Sequence, residues 1–150
     1  MTIRSPAGIG RFAAGEQPDA VDLAQLAAQG FKAVVNLRQA GEVARAFDPA
    51  EEGQLVTSLG LDYVHLPTAV EDLSATTVRA FRERVSSLPG PVYVHCGMGQ
   101  RAATLALIVE AEASGTAAAE AITAVELQGL SITPKVKGFI TSYLKSRAAA

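Results

Sequence analysis

The sequence predicts a single α/β domain with a largely parallel sheet, and three observations support this prediction. Short apolar runs alternate with longer amphipathic runs, as in domains where strands and helices follow one another along the chain. No repeat or low-complexity segment interrupts this alternation. The 150 residues, of which 49% are hydrophobic, suffice for one sizeable core and are too few for two ordinary domains. We therefore treat residues 1–150 as one domain.

In the first half of the chain, the sequence predicts two helices, each followed by a strand. The first helix begins near Asp19, whose carboxylate suits a first turn, and ends at Gly30. Residues 31–37, most of which are apolar, then form a buried strand. A second helix is predicted over residues 51–59, and a second strand over residues 63–66.

In the second half, the sequence predicts one more strand among four helices. Ser74 is a suitable N-cap for a helix that runs to about Ser87. Residues 92–94 form the next strand, which leads directly into His95 and Cys96. Three more helices are predicted over residues 102–112, 117–127 and 134–145.

Composition and charge exclude several classes of protein. The formal net charge of -2 provides no basic surface of the kind that attracts nucleic acid. One cysteine cannot form an intramolecular disulfide, and two histidines do not supply a metal-ligand set, so we expect no metal or other cofactor. A reducing setting suits a lone free cysteine, and we therefore expect a cytoplasmic protein.

We also expect no membrane partner. The N-terminal residues lack the apolar run of a signal peptide, and the most apolar stretch, residues 102–109, is too short to span a bilayer. The oligomeric state stays open, because the helices after Gly115 are apolar enough either to complete the core or to offer a surface to a partner.

The segment that follows the strand at residues 92–94 has the composition of an anion-binding loop. A loop between a parallel strand and the next helix lies at the carboxyl end of the sheet, where backbone N–H groups and the helix dipole converge. Gly97 and Gly99 allow the backbone to turn its amides inward, and Arg101 can donate two hydrogen bonds to a phosphate-like group. The sequence therefore predicts that Cys96 lies in a pocket for an anion.

Cys96 is predicted to be the nucleophile of this pocket. A helix N-terminus and a neighbouring arginine favour the thiolate, which is the reactive form of a cysteine. The alternative is a small core residue at a strand end, the usual role of a lone cysteine. We expect His95 to support the loop through a hydrogen bond from its ring to the backbone, and not to transfer protons. His65, in the neighbouring strand, is expected to pack or to lie at the rim.

Cleavage of a phosphate ester also needs an acid for the leaving oxygen, and Glu71 and Asp72 are the candidates. They follow the strand at residues 63–66, so their loop is expected to open at the same edge of the sheet as Cys96. Alternatively, Asp72 merely helps to start the helix at Ser74. The sequence leaves both interpretations open.

Four stretches of the chain, taken in order, resemble the signatures of a known family. This family is the cysteine-dependent dual-specificity phosphatases and, within them, the phosphatase-like domain of bacterial beta-lactamase hydrolase-like proteins. The resemblance covers nearly the whole chain. Its stretches are Gly15 to Pro18, Gly30 to Arg38 with Glu42, Leu61 to Pro67, and Gly90 to Cys96.

The resemblance implies a fold like that of the protein tyrosine and dual-specificity phosphatases, with a central, mainly parallel sheet flanked by helices. It also implies that Cys96 is the nucleophile and that Arg101 and the loop amides bind the anionic group of the substrate. These amides belong to Gly97, Met98, Gly99 and Gln100. Arg38 and Glu42 match a stretch of the family for which a structural ion pair is implied.

Two departures from the usual phosphatase pattern affect the implied chemistry. Phosphatases of this superfamily usually have five residues between Cys and Arg, whereas four separate Cys96 from Arg101. This shorter loop resembles that of single-domain rhodanese-type sulfurtransferases, which hold a cysteine persulfide, and the beta-lactamase hydrolase-like group shares it. Ala102 stands where many phosphatases carry a Ser or Thr that stabilises the departing thiolate, and Thr104 is a candidate substitute.

Three functional hypotheses follow. The first is a cysteine-dependent phosphatase that hydrolyses phosphate monoesters, on a protein or a small molecule, through a phosphocysteine intermediate. The second is a sulfurtransferase in which Cys96 carries a persulfide from a sulfane-sulfur substrate to a thiol. The third is a noncatalytic anion-binding regulatory module. The whole-chain resemblance favours the first, the four-residue spacing favours the second, and Ala102 favours the third.

Overall fold

The computed structural model describes residues 6–41 and 47–148. One five-stranded sheet has the strand order β1-β2-β5-β3-β4. Its strands are β1 (Ala7–Ile9), β2 (Phe12–Gly15), β3 (Ala33–Asn36), β4 (Asp62–His65) and β5 (Val92–His95). The helices are α1 (Ala20–Ala28), α2 (Pro49–Ser58), α3 (Ala75–Ser86), α4 (Gln100–Ser114), α5 (Ala118–Glu126) and α6 (Pro134–Ala148). A short 3-10 turn, Val70–Asp72, follows β4.

The four strands β2 to β5 run parallel, which confirms the predicted fold class. The central strand β5 pairs with both β2 and β3, so that Val94 lies opposite Ala14 on one side and Val35 on the other. Parallel strands end at the same edge of a sheet. The segment that follows β5 therefore begins at the edge where β2, β3 and β4 also end.

The sequence did not predict the N-terminal hairpin of β1 and β2. The two strands are antiparallel, with Ile9 opposite Phe12, and β2 pairs with β5 on its other side. Both strands are rich in alanine and glycine, which have little intrinsic preference for strands. Pairing with β5, rather than local preference, therefore determines this part of the fold.

Capping residues explain where the helices begin. The Asp19 side chain caps α1 by accepting a hydrogen bond from the Asp22 amide, close to the predicted start. The Ser74 side chain caps α3 by accepting from the Thr77 amide, so the predicted cap at this residue is confirmed. The helix after β5 begins slightly earlier than predicted, at Gln100.

The sheet separates two hydrophobic clusters. On one face, Val94 packs with residues of α3 to α6. On the other face, Tyr93 packs with residues of α1 and α2. Because side chains alternate along a strand, His95 lies on the second face with Tyr93. Cys96 belongs to the first cluster, so these two consecutive residues lie against different sets of helices.

The described ranges contain neither a membrane-spanning helix nor a cluster of metal ligands. The longest helices, α4 and α6, have 15 residues each. No helix among these residues is long and apolar enough to cross a membrane. Within the same ranges, no three His, Cys, Asp or Glu side chains come together in a way that could hold a metal ion.

Candidate active site

The loop between β5 and α4 places Cys96 at the carboxyl edge of the sheet. The strand ends at His95, and α4 begins at Gln100 after the loop residues 96–99. The first amides of a 15-residue helix point into this loop, and the helix dipole is positive at that end. This strand, loop and helix arrangement is the one expected of an anion-binding loop.

Gly99 determines the shape of the loop. It is the N-cap of α4 and has a φ of 100°, in the left-handed region that favours glycine. A Cβ atom at this position would lie 3.1 Å from the side chain of Leu130 and 3.4 Å from the carbonyl carbon of Gly15. Both the backbone angle and the close packing against β2 therefore require glycine.

The sulfur of Cys96 accepts a hydrogen bond within its own loop. The Gly99 N–H donates to Cys96 Sγ at 3.2 Å, and the Cys96 N–H donates to the carbonyl of Gly15 at 3.4 Å. Cys96 is only 1% exposed, so a substrate atom would contact the sulfur inside the loop and not on an open surface. The sulfur therefore lies next to an amide donor at the positive end of a helix.

Arg101 connects the Cys96 loop with the segment after β4. Its Nη1 donates a hydrogen bond to the carbonyl of Thr68 at 3.0 Å. Thr68 is buried, and its own amide donates to the carbonyl of Leu37 at the end of β3. The bond uses one of the five N–H donors of the guanidinium. Arg101 is thus fixed on the β4 side of the loop, in the first turn of α4.

The other predicted loop residues differ in their surroundings. The Met98 side chain is exposed, and it borders a cleft of about 30 Å³ together with Glu16 and Leu130. The Gln100 side chain accepts a hydrogen bond from the Thr133 amide at 2.7 Å, which ties the start of α4 to the segment between α5 and α6. Gly97 contributes no side chain. The loop therefore offers an anion its amides rather than these side chains.

Glu71 and Asp72 lie in the 3-10 turn that follows β4. Both are exposed, and the turn comes directly after the segment to which Arg101 is bonded. The cap of α3 consists of Ser74 and Thr77, so Asp72 makes none of its hydrogen bonds. Both roles of Asp72, as the acid and at the start of this helix, stay predictions. β4 ends at the same edge of the sheet as β5, and four residues separate its end from the turn.

Ala102 and Thr104 lie within the first turns of α4 and are buried. The Thr104 hydroxyl donates to the carbonyl of Gln100 at 2.7 Å, so it is bonded to its own helix and not to Cys96. Ala102 has no hydroxyl to offer. In this arrangement neither residue supplies the hydroxyl that many phosphatases place after the arginine.

The expectation for the His95 ring was wrong, because its partner is a side chain. His95 Nε2 lies 2.6 Å from Glu52 Oε2, and both side chains are completely buried. The other oxygen of this carboxylate accepts a hydrogen bond from Gln17 Nε2 at 2.7 Å. His95 lies on the face that α2 covers, and Glu52 projects from α2. The sequence did not indicate which helix would cover this ring.

Glu52 and Gln17 are site residues that the sequence analysis missed. Pro49, Glu52 and Val56 form the buried stripe of α2. A carboxylate within such a stripe is a signal, since acidic side chains are rarely fully buried without a partner. The stripe does not reveal the partner, because Gln17 and His95 lie far from α2 in the chain.

Tyr93 holds the other side of the His95 ring. The two rings stack with 5.9 Å between their centroids. The Tyr93 hydroxyl donates to the carbonyl of Glu16 at 2.6 Å. Burial raises the pKa of Tyr93 well above its ordinary value, so the hydroxyl keeps its proton and remains a donor. A Cβ atom on Gly15 would lie 2.6 Å from this hydroxyl oxygen, which explains the glycine at the end of β2.

An ion pair between Arg38 and Glu42 was expected, but Glu42 lies outside the described residues. Arg38 is buried at the end of β3 and donates to the carbonyl of Phe47. Its own carbonyl lies 2.7 Å from His65 Nε2. His65 is therefore a partly buried residue that supports the end of β3.

A larger cavity of about 610 Å³ lies between α4, α5 and α6, and its lining includes no residue of the Cys96 loop.

Comparison with known proteins identifies relatives of this chain. The family described as "Beta-lactamase hydrolase-like protein, phosphatase-like domain" matches residues 9–125. A beta-lactamase hydrolase-like protein of Agrobacterium fabrum is 34% identical over 101 residues, which are 67% of this chain and 23% of the relative. One from Xylella fastidiosa is 27% identical over 143 residues, or 86% of this chain and 33% of the relative. The chain thus spans no more than a third of the length of these relatives.

Solved structures share the fold. A DUF442 protein from Shewanella putrefaciens superposes with a TM-score of 0.78 and 22% identity, covering 97% of this chain and 93% of the other. TpbA from P. aeruginosa has a TM-score of 0.71 and 17% identity, covering 93% and 86%. The catalytic domain of the PP-IP phosphatase SIW14 from S. cerevisiae has a TM-score of 0.71 and 13% identity, covering 98% and 90%. These neighbours have the tyrosine and dual-specificity phosphatase fold, which was the predicted one.

Proposed function

Because this chain belongs to the family of phosphatase-like domains of beta-lactamase hydrolase-like proteins, we propose that it is a cysteine-dependent phosphatase for phosphate monoesters. Cys96 is the nucleophile of the proposed reaction. The observation that carries the proposal is the hydrogen bond from the Gly99 amide to Cys96 Sγ at 3.2 Å. It places the sulfur at the positive end of α4, where an anionic substrate is also attracted.

In the first proposed step, the Cys96 thiolate attacks phosphorus and forms a P–S bond while the bond from phosphorus to the ester oxygen breaks. Glu71 or Asp72 gives a proton to the leaving oxygen, which departs as an alcohol or a phenol. The loop amides and Arg101 stabilise the negative charge on the equatorial phosphoryl oxygens. The product of this step is a phosphocysteine.

In the second step, water attacks the phosphocysteine. The same carboxylate takes a proton from that water, the P–S bond breaks, and the thiolate leaves with its electron pair. Inorganic phosphate is released and the enzyme returns to its first state. Because Ala102 carries no hydroxyl and the Thr104 hydroxyl is bonded to Gln100, we expect this step to be the slower one.

Hydrolysis of an aryl phosphate tests the proposal. One structural neighbour, TpbA, has been crystallised with pTyr, and an aryl phosphate has a good leaving group that reveals even weak activity. The expected result is phosphate release by the wild-type protein and none by Cys96→Ser. Absence of turnover at every pH between mildly acidic and mildly alkaline conditions would remove the phosphatase proposal.

A sulfurtransferase is the second candidate, and the length of the loop favours it. Four residues separate Cys96 from Arg101, which leaves one amide fewer for a phosphoryl group than the usual five residues provide. In this reaction the thiolate attacks the outer sulfur of a donor such as thiosulfate, sulfite leaves, and Cys96 becomes a persulfide. An acceptor thiolate then attacks the terminal sulfur and releases the Cys96 thiolate. Neither step needs a carboxylic acid.

Mass spectrometry tests this candidate. After incubation with thiosulfate, Cys96 should gain the mass of one sulfur atom, and a thiol should remove it again. Failure of Cys96 to gain that mass would exclude the sulfurtransferase. If both activities are absent while sulfate still protects the fold against heat, a noncatalytic anion-binding module is the remaining hypothesis.

A further inference from the structure

A chain of three polar side chains, Glu52 and His95 completely buried and Gln17 partly buried, lies against the end of the strand that leads to Cys96. Glu52 of α2 is at its centre, with one carboxylate oxygen 2.6 Å from His95 Nε2 and the other 2.7 Å from Gln17 Nε2. Glu52 and His95 are both completely buried. Three separate segments of the chain, namely the one after β2, α2 and the end of β5, therefore meet at a single carboxylate immediately before Cys96.

The chain of contacts is not explained by stability. Removing two polar side chains from water is costly, and replacing such a buried pair by apolar side chains of similar volume is often neutral or stabilising. Position 52 lies between Pro49 and Val56 on the buried stripe of α2, where an apolar side chain would suit the surrounding cluster. Core packing therefore does not by itself account for a carboxylate at this position.

The same segments also hold the Cys96 loop through the backbone. The carbonyl of Gly15 accepts the Cys96 amide at 3.4 Å, and the backbone of Gly15 packs against Gly99. The carbonyl of Glu16 accepts the Tyr93 hydroxyl at 2.6 Å, and the Tyr93 ring stacks on His95. Residues 15–17 thus contact both the Cys96 loop and the residues before it. Gly15 and Glu16 do so through their backbone, and the side chain of Gln17 is bonded to Glu52.

We propose that Glu52 and Gln17 are positioning residues, which hold the His95 ring and thereby fix the direction in which the chain enters the Cys96 loop. This inference rests on Cys96 being the reactive residue, as in the proposed function. Glu52 needs only a hydrogen-bond acceptor for this role, because His95 Nε2 donates to it. Cys96 Sγ then lies where the Gly99 amide reaches it.

Alkylation of the thiol by iodoacetamide tests the proposal, because Cys96 is the one cysteine in the sequence. The rate is followed by mass spectrometry on the whole protein at a series of pH values, and it reports the thiolate inside the loop. For Glu52→Leu, which removes the acceptor at similar volume, we expect a rate at neutral pH about tenfold lower, as for other small displacements of a reactive group. We also expect its pH profile to move to higher pH.

Glu52→Gln is the conservative variant. Its amide oxygen can still accept from His95. Its amide nitrogen can donate to Gln17 once the Gln17 amide turns to present Oε1 in place of Nε2, and Oε1 is a buried atom that has no partner among the described residues. We therefore expect Glu52→Gln to restore the alkylation rate to within about threefold of wild type. Equal slowing in both variants would contradict a role as acceptor and overturn the proposal.

Asp22→Asn is the matched control. Asp22 is also a buried carboxylate, and it accepts a hydrogen bond from the Asp19 amide in the capping box of α1. We expect it to lower the thermal stability and leave the alkylation profile unchanged. If Asp22→Asn slowed alkylation of Cys96 as much as Glu52→Leu does, general loosening of the fold would control the reactivity of the thiol. That result would overturn the proposal.

A second variant covers the case in which Glu52→Leu does not fold. Gln17→Ala removes one donor to the carboxylate, and we expect alkylation to slow about threefold in the same direction. If the alkylation rate of Gln17→Ala, or of a folded Glu52→Leu, matched that of wild type at every pH, the positioning role would be overturned. Alkylation needs no turnover, so the positioning role can fail while phosphatase activity stands, and the reverse can also be observed.

Discussion

The amide of Gly99 donates a hydrogen bond to the sulfur of Cys96, with 3.2 Å between the two atoms. The contact joins the last residue of the loop to the first, so it measures how tightly the loop closes around the sulfur. It exists because Gly99 has a left-handed backbone and packs directly against Gly15.

Gly99→Ala should open the loop. A Cβ atom is strained at a φ of 100° and would meet Leu130 at 3.1 Å, so we expect the free energy of unfolding to fall by about 1–2 kcal/mol. The displaced amide should also reduce activity at least about tenfold, as loss of a preorganised N–H donor does in other enzymes. Denaturant unfolding and steady-state kinetics measure the two effects.

Gly115→Ala is the control that separates the effect of backbone strain on stability from the effect of the Gly99 amide on activity. Gly115 also has a left-handed backbone, with a φ of 73°, but a Cβ atom there would meet nothing within 4 Å. We expect a similar loss of stability from the backbone alone and no change in the reactivity of Cys96. Equal inactivation by both variants would contradict the role assigned to the Gly99 amide.

Arg101→Ala should weaken the binding of sulfate and phosphate. Hydrogen bonds to a charged group are worth about 1.5–3 kcal/mol, which corresponds to an affinity about 10–100-fold lower. Arg101→Lys keeps the charge and loses the planar fork, so we expect an intermediate affinity. Calorimetric titration with sulfate gives both values. Arg79→Ala, an exposed position on α3, is the control, and a loss as large as that of Arg101→Ala would indicate nonspecific anion binding.

Asp72→Asn and Glu71→Gln should identify the general acid. With an alkyl phosphate, whose leaving group needs a proton, loss of the acid should lower kcat about 10²–10⁴-fold. With a nitrophenyl phosphate the same variant should lose much less, because that leaving group departs as a stable anion. Each variant is the control for the other. If both rates with the alkyl phosphate match wild type, neither carboxylate is the acid, and the sulfurtransferase gains support.

Ionisation of the Tyr63 hydroxyl should make the protein less stable in alkali. Burial raises the pKa of Tyr63 to about 12 from its ordinary value of 10.0. The neutral hydroxyl donates to the carbonyl of Pro49 at 2.9 Å and accepts from Asn36 Nδ2 at 3.1 Å, which anchors the start of α2. Since the pKa is higher in the folded state, this stabilisation is fully present below about pH 10 and is lost as the pH rises towards about 12.

Tyr63→Phe tests this dependence. It removes the two hydrogen bonds, so we expect the free energy of unfolding at neutral pH to fall by about 1–2 kcal/mol. Between pH 10 and 12 the variant should lose less stability than wild type does, because one titrating group is absent. Urea unfolding at several pH values measures both quantities, and parallel curves for the two proteins over that interval would contradict the prediction.

The sequence predicted most of the elements because their signals are local. Ser74 and Thr77 lie three residues apart, and the cap they form is visible in the sequence as in the structure. The strand that leads to Cys96 is a continuous apolar run, as expected of a strand buried on both faces. The hairpin of β1 and β2 was missed, since its alanines and glycines become strands through pairing with β5, and such pairing leaves no local signal.

The candidate site was likewise predictable only where its residues are neighbours in the sequence. By itself, the sequence determined that Cys96 and two glycines lie between a strand and a helix and that Arg101 follows directly after them, because residues so close in the chain cannot separate. Only the tertiary structure decided that Glu52 lies against His95, that Gln17 lies against Glu52, and that Arg101 reaches Thr68. The physical reason is that these contacts join segments far apart in the chain, and sheet register together with helix packing determines which of their buried groups satisfy one another.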